Sequence, residues 1–118
     1  MKIYSADTWT LEELQALAAD AGRRTVLVPA ADTRRAVLET FAEVLDFPED
    51  DEVDLDALND ALHDFADAVA DDGQGPATVI WEVPAAFRAD RSFGVVCEIL
   101  QDAERYAGKN LAVTAVCL

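Results

Sequence analysis

Apolar side chains recur along the chain in two rhythms. Three runs, 25–29, 77–83 and 111–118, are nearly continuous and rich in β-branched residues, with Val79, Ile80 and Trp81 at the centre of the second. Runs of this length and composition predict buried strands. Elsewhere the apolar positions fall three and four residues apart, which brings them onto one face of a helix. Leu11, Leu14, Leu17 and Ala18 define one such face, and Val37, Leu38, Phe41, Val44 and Leu45 a second. Leu55, Leu58, Leu62, Phe65 and Val69 define a third, and Phe93, Val96, Cys97, Leu100, Ala103 and Ala107 a fourth. Residues 2–6 read as a further short strand.

Capping signals punctuate this pattern. Thr10 and Glu13 have the spacing of a capping box, and Gly22 closes the helix that follows. Asp32 or Thr33 caps the second helix, and Phe47 and Pro48 end it. Asp54 is placed to cap the third, residues 71–76 form a turn cluster, Pro84 ends the middle strand, Ser92 caps the last helix and Gly108 stops it. Strands alternating with helices predict an α/β fold with a parallel sheet and helices packed on its faces. The sheet has three strands, or four if residues 2–6 join it. A chain of 118 residues suits a single domain, 1–118.

The polar positions are less ordinary than the apolar ones. Opposite the packed face of the third helix lie Asp56, Asp60, His63, Asp67 and Asp71. Asp is a weak helix former, and like charges four apart repel by a few tenths of a kcal/mol. Local stability does not explain this stripe. The whole chain carries a formal charge of −15, and no Lys or Arg occurs between Arg35 and Arg88. Nucleic acid would be repelled, so the natural complement is a basic protein. The competing explanation is an acidic host proteome, which would spread carboxylates over every exposed face rather than concentrate them in the middle third.

No catalytic or metal-binding constellation stands beside the stripe. His63, the only histidine, has no nucleophile-elbow serine or cysteine as a partner and reads as a solvated helix residue. Residues 54–65 have a superficial likeness to a calcium loop, but Leu58 takes a ligand position, Asn59 stands where Gly is needed and Phe65 replaces the bidentate Glu. Asp60, His63 and Asp67 on one helix are too few for a metal site, and no cofactor motif is present. Cys97 and Cys117 read as core thiols of a reducing compartment. With no signal-peptide core and no membrane-length apolar run, a cytoplasmic protein without a membrane partner is expected.

One stretch has a specific likeness. Phe47-Pro48-Glu49, then Asp54-Leu-Asp-Ala-Leu-Asn-Asp-Ala-Leu62, then Pro76-Ala-Thr-Val-Ile-Trp81 with the helix and strand beyond, resembles the barstar family of ribonuclease inhibitors. The likeness runs from about Arg24 onward, leaving residues 1–22 as an N-terminal extension without an assigned role. It implies a barstar-like sheet-and-helix fold and an inhibitor, not an enzyme, that plugs the active site of a basic, secreted-type ribonuclease of the barnase kind. By motif position Asp60 matches the aspartate entering the enzyme's phosphate site, Asp56 the one near its mouth, and Asp102 a further acidic contact. Asp54 belongs to the same surface, and the carboxylates of residues 64–72 read as solvated excess. The chain departs from the family where Asp50, Asp51 and Glu52 replace Tyr, Tyr and Gly and where Asn59 replaces Trp. Those four positions are the expected determinants of partner choice, and they leave open an immunity protein or antitoxin on this scaffold against a different basic toxin.

Overall fold

A computed structural model describes residues 1–47 and 54–118. Its elements run β1 (Lys2–Ser5), α1 (Leu11–Asp20), β2 (Arg24–Val28), α2 (Arg34–Leu45), α3 (Leu55–Asp72), β3 (Ala77–Val83), α4 (Ala85–Arg88), α5 (Ser92–Ala107) and β4 (Leu111–Cys117). The strands form one parallel sheet in the order β1-β4-β3-β2. The strand at 2–6 therefore does join, as an edge beside β4. Parallel neighbours cannot be linked by tight hairpins, which is why helices fill every connection.

Alternation along the strands separates two layers. Val79, Trp81 and Val83 of β3 and Leu111, Val113 and Ala115 of β4 face a core shared with Val37, Leu38 and Phe41 of α2, Leu58 and Leu62 of α3, and Val96 and Leu100 of α5. Ile80 and Val116 point the other way and meet Leu14 of α1, with Tyr4, Trp9 and Leu11 around them. Residues 1–22 thus supply an edge strand and the helix on the second sheet face. Trp81, only 1% exposed, holds the first layer together, with ring centroids 5.6 Å from Phe41 and 5.9 Å from both Phe87 and Phe93. Burying an aromatic ring of this size removes more apolar surface from water than any other single side chain here can.

The capping residues act locally. Thr10 Oγ1 accepts from Glu13 N at 3.1 Å and the Glu13 carboxylate accepts in return, so the capping box forms. Thr33, not Asp32, caps α2, accepting from Ala36 N at 3.1 Å. Three expectations change. Leu17, read as inward, is 48% exposed, because α1 turns Leu14 and Ala18 to the sheet instead. Ser92 is the buried first residue of α5 and makes no cap; Asp90 Oδ1 accepts its N–H at 2.8 Å. Pro84 does more than end β3: it stands at the N-cap of the unforeseen helix α4, which seats Phe87 in the core.

Candidate functional site

The candidate site is built on α3. Its apolar face, Leu58, Leu62, Ala66 and Val69, is buried, and this packing forces the opposite face into solvent whatever residues occupy it. Asp54 is the N-cap, its Oδ1 accepting from Ala57 N at 2.8 Å. That bond satisfies one of the orphan donors of the first turn and places the carboxylate at the positive end of the helix dipole. Asp56 and Asp60 follow, one turn apart and exposed, and among the described residues neither side chain takes a hydrogen bond or an ion pair. Two unpaired carboxylates on a rigid helix are ready acceptors for Arg, Lys or His of another protein.

The remaining expected site residues differ in surroundings. Asp50, Asp51 and Glu52 lie outside the described residues. Asn59 is half-buried on the flank of α3, and its backbone carbonyl accepts from His63 Nδ1 at 2.8 Å. Because a carbonyl only accepts, that ring nitrogen carries the hydrogen. Asp102 is exposed on α5 and pairs with Arg105 on its own helix. Packing sets α5 against α3, but among the described residues no hydrogen bond or ion pair joins Asp102 to α3.

Both flanks of the stripe carry features that the sequence did not single out. Toward α2 runs a groove of about 290 Å³, walled by Leu45, Phe47, Ala57 and Ala61, with Asp60 and Asp64 among the residues that line it. Toward α5, the Tyr106 ring lies 4.5 Å from that of His63, centroid to centroid, and its hydroxyl donates to Asp67 Oδ1 at 2.7 Å. The hydrogen bond to Asp67, reinforced by the charges of Asp67 and Asp64, holds the phenol's pKa above its usual value. At the end of α3, Asp72 accepts from Arg24 at 2.5 Å and from Gln74 N at 2.9 Å, and these two bonds hold its carboxyl below the ordinary range. Asp67 and Asp72 are therefore committed to specific partners within the fold, contrary to their reading as solvated excess. The contact missed most completely, Tyr106 with Asp67, joins residues 39 apart in the chain, so no local signal could have revealed it.

The two cysteines are free thiols, Cys97 buried and Cys117 half-buried. Burial, with the neighbouring Cys117, pushes the Cys97 thiol up to about 11, which suits a core residue and not a nucleophile. Among the described residues no three His, Cys, Asp or Glu side chains are grouped to hold a metal ion, and no helix is long and apolar enough to cross a membrane.

No curated protein and no solved structure gives a match to the chain. The sequence model of one family does: Barstar, described as the barnase inhibitor, matches residues 11–118. The match starts at the first residue of α1, earlier than Arg24, where the motif-level likeness begins, and continues through β4 to residue 118. With a parallel sheet, an acidic capped helix at the motif and a family match over nearly its whole length, the chain belongs to the Barstar family.

Proposed function

We propose that this protein binds and blocks the basic active-site cleft of a barnase-like ribonuclease through α3 and the acidic segment before it. The observation that carries the reading is the pair Asp56 and Asp60, exposed one turn apart on a helix whose other face is locked into the core of a Barstar-family chain. Their carboxylates take the place of substrate phosphates and accept charge-assisted hydrogen bonds from the cations that normally hold RNA. Asp102 and the side chains of residues 50–52 and 59 complete the surface, while Asp54 acts mainly by fixing the start of the helix. The charge of −15 steers the basic enzyme toward that face.

Adding the protein to a guanyl-type ribonuclease is expected to stop RNA cleavage in proportion to the amount added. Asp60→Ala should weaken inhibition by roughly 2–5 kcal/mol, the range for removing one member of a buried charge pair. Undiminished cleavage at stoichiometric excess would sink the ribonuclease reading. A second reading is favoured by Asp50, Asp51 and Asn59, which stand where the family carries aromatic anchors. Here the chain is an immunity protein or antitoxin against a different basic toxin, and it predicts a co-purifying basic partner whose capture Asp60→Ala still abolishes.

A further inference from the structure

Among the described residues Tyr106 is the only aromatic ring of the large exposed hydrophobic side chains, with 54% of its surface in solvent. It is nevertheless held. One side of the ring meets His63, whose own orientation is set by the bond from Nδ1 to the Asn59 carbonyl, and the hydroxyl is fixed on Asp67 Oδ1. An exposed aromatic immobilised from two sides has little rotamer freedom left to lose on binding. The surroundings of its open face are anionic: Asp67 accepts the hydroxyl, and Asp64 is close enough to act on the ring's acidity. The nearest cation in sequence, Arg105, is engaged with Asp102.

From this arrangement we infer that Tyr106 is an anchor of the partner interface and that its open face receives an arginine side chain of the basic partner. A guanidinium is planar, stacks on an aromatic face and can at the same time pair with a carboxylate. Asp67 supplies that carboxylate, since only one of its oxygens is used by the phenol. Asp60 and Asp67 lie two turns apart on α3, roughly 10 Å at the helical rise, well within one protein interface. The inference rests on the inhibitor reading and extends it along α5, beyond Asp102 to Tyr106. It also supplies an aromatic contact to a chain that lacks Tyr and Trp at residues 50–52 and 59.

The test uses the full chain against a guanyl-type ribonuclease, with dissociation constants and off-rates measured for the unaltered protein and for Tyr106→Phe, Tyr106→Leu, Tyr106→Ala and Asp60→Ala. Thermal unfolding of each variant serves as a check on folding. Tyr106→Phe keeps the π face and should stay within about threefold, whereas Leu and Ala should weaken binding at least tenfold, mostly through a faster off-rate. Binding by Tyr106→Ala within twofold of the unaltered protein overturns the inference. Equal binding by Tyr106→Leu makes the occupant an apolar side chain and overturns it as well. If the unaltered protein does not bind at all, the inhibitor reading and this inference fall together. Loss with Tyr106→Ala but not with Asp60→Ala would instead overturn the α3 reading and leave the anchor standing.

Discussion

Asp54 and Asp60 carry the same functional group six residues apart, yet their environments give them different work. The Asp54 carboxylate is spent on Ala57 N, while Asp60 makes no bond among the described residues. Asp54→Ala is expected to cost about 1 kcal/mol of stability in urea unfolding, with Asp54→Asn close to the original because its side-chain oxygen still caps. Asp60→Ala should leave stability within about 0.5 kcal/mol, as for an exposed position without partners. If Asp54→Ala unfolds at the same urea concentration as the original protein, the capping assignment is wrong. Asp54 was legible as a cap because its partner lies three residues ahead. Asp67 and Asp72 were not legible, because Tyr106 and Arg24 reach them from distant parts of the chain.

At the scale of elements, α3 is a helix that its own sequence disfavours. It carries six Asp in eighteen residues, spaced so that several repel, and its formation rests on Leu58, Leu62, Ala66 and Val69 entering the core. Its far end is set by Gly73, in the left-handed conformation at φ 70°. A Cβ added there would meet no atom within 4 Å, so the cost of Gly73→Ala is purely conformational. It should amount to about 1 kcal/mol, read as a lower unfolding midpoint with no change in inhibition. The amphipathic period of α3 and α5 was readable from spacing alone. The four-residue helix α4 was not, because one turn is too short to establish a period.

For the whole molecule, the charge of −15 acts on folding and on association with opposite signs in salt. Repulsion among the carboxylates opposes the compact state, and mobile ions screen it over a Debye length of about 10 Å at 0.1 M. Raising the salt from about 0.02 to 0.2 M is therefore expected to raise the thermal midpoint while lowering the association rate with a basic ribonuclease about tenfold or more. Scanning calorimetry and stopped-flow mixing would check the two halves separately. An association rate indifferent to salt would mean that the acidic surface does not steer the partner.

Apart from α4 and the start of α5, the elements, the caps at Thr10, Thr33 and Asp54 and the likeness to the family were written in local pattern, because strands and helices are set by periodicities of two and 3.6 residues and caps by neighbours three residues away. The acidic face of α3 was equally visible, since it is what remains when the apolar face is assigned. Only the tertiary structure decided that residues 2–5 pair with β4, that α1 covers the second sheet face with Leu17 outward, and that Tyr106 stands beside His63 and Asp67. Each of these joins residues far apart in the chain, and such contacts are fixed by packing and hydrogen-bond geometry that no local pattern encodes.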